Sequence, residues 1–383
     1  MANAVMLLSN PFRPDPRVLK EAQSLVERGH RITVIAWDRQ SNFPANERLS
    51  PYLRIIRVQK SPSQYGIGLK QIGPLYRFWL SAWKIMNDLQ PNLIHCHDFD
   101  TLPVGLFWSK CNHTPIIYDA HEYYAELVRP RLSTVLGKFV YMAIRNIERV
   151  SARRVDAIIT VDQRLAESYQ KLNPTVLIIG HYPSASFVDQ PAPVFTHSKL
   201  TLLYLGRFSQ DRGLIMYLDL LRSLLSAGIP AELHMAGVFT PSSEEKNFLA
   251  AAKDLNEHIK LSGWLAYKDV PDALSHADVG LSLLQPEPRY ITALPVKLFE
   301  YMAAGLPVLA SDFPSIRQVV AEEDCGALLD PSNPQSAADL LTNWWRQPEI
   351  PRRLGFNGRK AVLARYNWES LAKTVDVLYQ NLT

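Results

Sequence analysis

Three cysteines in 383 residues, Cys96, Cys111 and Cys325, are too few and too scattered to staple a disulfide framework or to cage a zinc ion. Reduced thiols are the expectation, and with them a cytoplasmic chain. No apolar run approaches the roughly 18 residues that a membrane-spanning helix requires, so none is expected. The opening MANAVMLLSNPFRPDPR carries no basic leader, and its short apolar run reads as a first strand rather than a signal peptide. Charge of one sign is scarce too: the net is +4, too mild to imply a nucleic-acid partner. There is no G-x-G-x-x-G after the first strand, which argues against a nicotinamide enzyme. Short internal repeats and low-complexity tracts are absent.

What remains is a chain too long for one ordinary core, with 47% hydrophobic residues. Short β-branched runs (AVMLLS, RITVIAW, LRIIRVQ, NLIHCH, PIIYDAH, AIITV, TVLIIG) alternate with helical patterns, the rhythm of βαβ units on a parallel sheet. After the Pro- and Ser-rich HYPSASFVDQPAPVFTHSK the rhythm restarts with LTLLYLGR, AELHMAG, IKLSGW, VGLSLL, PVLAS and GALLD. The expectation is α/β: two facing, doubly wound Rossmann-like domains, at 1–185 and 196–364, with a final helix at 365–383 packing back on the first. Such sheets bind ligands at the carboxyl ends of their strands, which points to a cleft between the domains.

Within LPVKLFEYMAAGLPVLASDFP, Pro295 suits a helix start and Gly305 with Pro307 its end, which puts Lys297 and Glu300 on one face. The helix start offers free N–H groups and a positive dipole end to an anion, Lys297 adds a charge, and Glu300 suits sugar or ribose hydroxyls. The commoner account of such spacing is a surface salt bridge; the apolar surroundings speak against it. In YLGRFSQDRGL, Gly206 permits a tight turn, and Arg207 and Arg212 are placed to converge on a diphosphate. In the first half, NLIHCHDFD and IIYDAHEYY put His97 and His121 at strand ends beside Asp98, Asp119 and Glu122, with His95 inside the sheet. Alternating His95 and His97 invite a metal, but no further ligand set with suitable spacing accompanies them. Asp15 is either a helix cap or functional, and Arg17, a cation at a helix start, asks for an anion nearby.

DPRVLKEAQSLVERGHRITVIAWD, YDAHEYYAE, LGRFSQDRG and KLFEYMAAGLPVLASDFP, in that order, resemble the retaining glycosyltransferases of family 4, with the GT-B fold, over nearly the whole chain. The resemblance implies a transfer of sugar from a nucleoside diphosphate to an acceptor, with no metal strictly required and no other cofactor. It implies that Gly206, Arg207 and Arg212 hold the donor diphosphate, Arg212 standing where the family usually has lysine. Lys297 would lie near the donor phosphates and sugar, and Glu300 would bind the ribose as the second glutamate of a Glu-x7-Glu motif. The backbone around Leu294, Pro295 and Val296 belongs to the same donor-binding stretch, its N–H groups placed to orient the sugar. The resemblance sets His121 beside the reacting sugar, so that His121, Arg207 and Arg212 are the expected catalytic groups. Asp15, Arg17, His97, Asp119 and Glu122 are then on the acceptor side. Two positions depart from the pattern. Thr292 stands where the first glutamate of the motif is expected, and His181 replaces the asparagine of an Asn-Tyr-Pro turn. A noncatalytic nucleotide-sugar-binding protein, or another GT-B enzyme such as an epimerase or a phosphorylase, is the alternative.

Two segments interleave basic and apolar residues. In 129–154, Arg145, Arg149 and Arg153 share a helix face, with Leu136, Phe139, Val140, Ile144 and Ile147 as apolar cover; in 66–84, Lys70, Arg77 and Lys84 alternate with Tyr76, Phe78, Trp79 and Trp83. Either the apolar sides face the sheet and the charges are merely solvated, or these segments contact an anionic membrane from its inner face. The second option makes a saccharide on a lipid carrier the expected acceptor, in polysaccharide or glycolipid assembly.

Overall fold

In the computed structural model, residues 1–13, 15–63, 71–125, 135–184, 187, 198–291 and 293–383 are described. The chain divides into two compact units, Met1–His181 with Ser370–Thr383, and Tyr182–Glu369. The first holds an eight-stranded sheet: β1 (Asn3–Leu8), β2 (Arg31–Trp37), β3 (Asn46–Ser50), β4 (Leu53–Val58), β5 (Leu93–His97), β6 (Ile116–Ala120), β7 (Ala157–Thr160) and β8 (Val176–Ile178). Their spatial order is β3-β4-β2-β1-β5-β6-β7-β8, and all pairs are parallel except β3 with β4. The second unit has a six-stranded parallel sheet in the order β11-β10-β9-β12-β13-β14: β9 (Leu200–Leu205), β10 (Ala231–Ala236), β11 (Ile259–Leu261), β12 (Val279–Ser282), β13 (Val308–Ser311) and β14 (Gly326–Leu329).

Every strand read from the sequence is present, because parallel strands covered on both faces must be apolar almost throughout. β2, β5 and β9 show it: all but one of their residues are buried. The strand that escaped sequence reading is β3, NERLS, an exposed antiparallel edge whose polar residues carry no apolar signal. The C-terminal helices are Glu349–Ala364 and Trp368–Leu382. The latter ties the end of the chain to the first unit: the Tyr379 hydroxyl lies 2.8 Å from His95 Nδ1, and Asp376 Oδ1 lies 2.8 Å from His30 Nε2.

Each sheet reverses its direction of growth once, between β1 and β5 in the first unit and between β9 and β12 in the second. There the connecting helices leave to opposite faces and open a crevice at the strand ends. Both groups of polar residues singled out in the sequence lie at these points.

Candidate active site

In the second unit, β9 ends at Leu205 and the chain turns at Gly206, whose φ of 122° favours glycine. A Cβ there would come within 3.3 Å of Lys297 Nζ, so the lysine packs directly on this turn. A short 3-10 turn, Gln210–Arg212, then leads through Gly213 into the helix Leu214–Ser226. Gly213 has φ 81°, and a Cβ would lie 2.4 Å from the Leu283 carbonyl just past β12, so the backbone requires the glycine that follows Arg212.

The helix Val296–Ala304 has Pro295 as its N-cap, makes no side-chain cap, and ends on Gly305 in the left-handed conformation. Its first N–H groups are left for a ligand or solvent. Lys297 is buried, 6% exposed, with Nζ 3.6 Å above the centre of the Tyr204 ring. That ammonium finds no hydrogen-bond partner among the described residues. The salt bridge with Glu300 allowed by the spacing is therefore not formed. Burial, with the Arg212 charge beside it, holds Lys297 well below the usual lysine range, while Glu300 pulls the other way. Arg212 lies over the Tyr290 ring at 5.4 Å, and Tyr290 is held by a 2.8 Å hydrogen bond from its hydroxyl to Asp211. Arg207, by contrast, is exposed; its carbonyl accepts from the Tyr204 hydroxyl at 2.8 Å. The structure thus gathers Gly206, Arg212 and Lys297, keeps Glu300 half-buried one turn further on, and leaves the Arg207 side chain in solvent. Leu294 and Pro295 are partly covered and Val296 is exposed; Thr292 lies outside the described residues. Beside this group, a cavity of about 640 Å³ lined by Gln210, Asp211, Asp219 and Glu287 is acidic and unsuited to phosphate.

Tyr204, Tyr290 and Tyr301 had no signal in the sequence, since a tyrosine in an apolar run reads as core. Tyr301 accepts from Leu205 N–H at 3.0 Å and donates to the Leu281 carbonyl at 3.2 Å, bracing the helix against the ends of β9 and β12.

In the first unit, parallel register sets His97 opposite Asp119. His97 Nδ1 lies 2.9 Å from Asp119 Oδ2, and His121 Nε2 lies 3.2 Å from the same oxygen. Burial alone would raise the Asp119 carboxyl; the His121 charge beside it and the hydrogen bond with His97 outweigh it and hold it well below the usual range. Burial likewise opposes the His97 imidazolium, but Asp119 wins and raises its pKa. His97 is only 2% exposed, so it backs Asp119 rather than reaching outward.

Three further groups complete this cluster. His95 stacks on His97 at 4.3 Å, and burial keeps it neutral, so its 3.4 Å approach to Glu21 is not an ion pair. Glu21, on the inner face of the helix Pro16–Glu27, is pushed by burial up to about 7. His181, given no role in the sequence reading, has its ring 5.4 Å from that of His121 and is held neutral by burial.

Donor atoms of Glu21, His95, His97 and Asp119 lie within 4.8 Å of one another, a spacing that could admit a metal ion. The near-parallel rings of His95 and His97, 20° apart, point their in-plane lone pairs alongside each other rather than at one ion.

Asp15 is the N-cap of the helix Pro16–Glu27, accepting from Val18 N–H at 3.4 Å and from Asn10 at 2.8 Å. Arg17 Nε lies 3.6 Å from Asp15 Oδ1, so the cation at this helix start has a local partner and needs no ligand to explain it. Glu122 is exposed on the turn after His121.

Two family models match the chain in succession: Glycosyltransferase Family 4 over residues 17–179 and Glycosyl transferases group 1 over residues 188–361. Phosphatidyl-myo-inositol mannosyltransferase of Mycobacterium leprae (strain TN) is 22% identical over 95% of this chain and 92% of that protein. Among solved structures, sucrose-phosphate synthase from Thermosynechococcus elongatus superposes with a TM-score of 0.78 at 20% identity, covering 99% of each chain. Anabaena HepE in complex with UDP-glucose gives 0.67 at 15% identity over 100% of each. By its two successive family domains and its fold, the chain belongs to the family 4 type of glycosyltransferase, with the GT-B fold.

Proposed function

We propose that the protein transfers a sugar, with retention of configuration, from a nucleoside diphosphate held by the second unit to a saccharide or lipid-linked saccharide acceptor. The observation that carries this is Lys297: a buried amino group with no hydrogen-bond partner among the described residues, at an uncapped helix start, beside Arg212 and the Gly206 turn. An unpaired buried charge is costly, and a diphosphate would relieve it. Arg212, Lys297 and the helix dipole then stabilise charge on the departing diphosphate, an electrostatic task that these residues meet without a metal. Arg207, at the rim, adds a flexible cation, and Glu300 accepts from ribose hydroxyls. On the acceptor side, His121 is oriented by Asp119 and His97, with Asp15, Arg17 and Glu122 on neighbouring turns. The relatives' names, a phosphatidyl-inositol mannosyltransferase and a UDP-glucose complex, support donor and acceptor classes of this kind.

Screening UDP-, GDP- and ADP-sugars for thermal stabilisation tests the reading. The right donor at about 100 times its Kd should stabilise by about 2.7 kcal/mol. With that donor, Arg207→Ala and Glu300→Ala should lose transfer while remaining folded; ordinary turnover by both would refute this site. Stabilisation without transfer or hydrolysis would favour the noncatalytic alternative, for which Thr292 is the argument.

We also place the protein at the inner face of a membrane, as a cytoplasmic, peripherally attached enzyme. Among the described residues no helix is long and apolar enough to cross a bilayer. In the helix Val135–Ala152, Phe139, Met142, Ile147 and Val150 face solvent, while Tyr141, Ile144 and Glu148 face inward. Phe139 and Ile147 therefore do not cover the sheet as their sequence positions suggested. Exposed Ile72, Tyr76, Leu80 and Phe107 add apolar surface on the helices Ile72–Leu89 and Leu102–Asn112, with Arg77 and Lys84 exposed on the first of these and Arg145 and Arg149 exposed on Val135–Ala152. Residues 66–70 and 129–134 of the two candidate segments lie outside the described residues, as does the side chain of Leu136. The protein should co-float with anionic vesicles at low salt and release as salt screens the basic residues; no flotation at low salt would remove the membrane from this reading.

A further inference from the structure

Beneath the solvent-facing side of the helix Val135–Ala152 lies a carboxylate that packing does not explain. Glu148 is 1% exposed and accepts four hydrogen bonds. The Tyr118 and Tyr169 hydroxyls donate to Oε1 at 3.1 and 3.0 Å. Tyr124 N–H donates to Oε1 at 3.1 Å and Ala125 N–H to Oε2 at 3.3 Å. For stability alone an apolar side chain would serve better, since desolvating a carboxylate is expensive even when it is well bonded. The cost is visible: burial raises the Glu148 pKa despite the bonds that oppose it.

The location of those bonds shows what the carboxylate does. Tyr118 precedes Asp119 in β6, and Tyr124 and Ala125 end the turn that begins with His121 and Glu122. Tyr123 between them stacks on Tyr169 at 5.0 Å, so both the backbone and one ring of the turn are referred to the same buried group. The chain from β6 through His121 to Ala125 is thus held at both ends, by Asp119 at one and by Glu148 at the other. Ala125 is 2% exposed, so water cannot take the place of the carboxylate at its N–H.

We propose that Glu148 is a positioning residue: by gripping the backbone of the 121–125 turn it sets where His121 and Glu122 are presented. This rests on the transfer reading for its effect on turnover, but not for its effect on the turn. Glu148→Gln keeps the shape and sets amide hydrogens against the donors that the carboxylate accepts. Tyr169→Phe removes one donor and leaves both backbone bonds. In Glu148→Gln, amide exchange at Tyr124 and Ala125 should accelerate by about tenfold or more, and the His121 ring resonances should move. Transfer kcat should fall by about tenfold to hundredfold, as a displaced reacting group demands, while nucleotide affinity stays within about twofold because those contacts belong to the other unit. In Tyr169→Phe, kcat and the His121 resonances should stay near wild type even if the melting temperature drops. Should Glu148→Gln not fold, Glu148→Asp, too short to reach both hydroxyls and both N–H groups, is read the same way. Unaltered exchange and His121 resonances, or equal losses of kcat in the glutamine and phenylalanine variants, would overturn the inference. A wild-type protein that transfers nothing would instead refute the proposed function, with the exchange and resonance data still deciding the role of Glu148.

Discussion

Lys297→Met should make the free protein more stable and blind to nucleotide. Wild-type Lys297 is buried without a hydrogen-bond partner among the described residues, and an unsatisfied buried group of this kind costs about 1–3 kcal/mol, more for a charge. Methionine fills similar space without that cost, so the melting temperature should rise by a few degrees. The pH dependence identifies the cause. Because the folded-state pKa lies below the unfolded value, the unfolded chain binds more protons between the two, and wild-type stability climbs as pH rises through that window toward about 10.4. The methionine variant lacks this slope, so its advantage shrinks as pH rises. A bound diphosphate reverses the shift by restoring the ammonium. Binding should therefore take up a proton, seen by calorimetry in two buffers of different ionisation heat, and affinity should weaken with rising pH. Transfer should fall by about 100- to 1000-fold, as when a group stabilising transition-state charge is removed. A variant no more stable than wild type, with its nucleotide response intact, would show that Lys297 faces no anion.

Asp119→Asn should produce the largest loss of stability, about 3–5 kcal/mol, because it leaves buried imidazoles without the charge that compensates them. Asp119 contributes stability that is present above its unfolded pKa and lost as pH falls through its depressed folded value. His97 contributes stability present below about 6.5 and lost as pH rises through its elevated folded value. Glu21 adds a decline at lower pH, since its stability contribution is full below its unfolded value of about 4.3 and is lost as pH rises through its folded value of about 7. The wild-type contribution from this cluster should thus be greatest near pH 4 and decline as pH rises toward neutrality and beyond, and the asparagine variant should be flatter across that range. Urea titrations from pH 4 to 9 would measure both; superimposable curves would mean that Asp119 is not the hub of the cluster.

Much of the architecture was readable because βαβ units impose a period on the chain: buried parallel strands must be apolar on both faces, and helix ends must have residues that fit them. The Gly206 turn and the Pro295-to-Gly305 helix were legible for that reason. Strand β3 was not, since an edge strand needs no apolar residue. The pairing of Arg17 with Asp15 was missed because spacing gives no side-chain direction. Likewise, Glu21, Glu148 and His181 gave no signal, for a charge on an apolar face looks the same whether it is solvated or buried.

The order of strands, the positions of helix starts and the chemical types available at strand ends were determined by the amino-acid sequence itself, because backbone conformation and periodic burial are local properties. Only tertiary structure decided that Lys297 has no hydrogen-bond partner among the described residues while Arg17 has an ionic one, that one Asp119 oxygen lies beside two histidines, and that Glu148 grips the turn behind His121. Those facts depend on which side chains distant parts of the chain bring together in a water-excluded interior, where the absence of a single partner changes the charge a residue can carry.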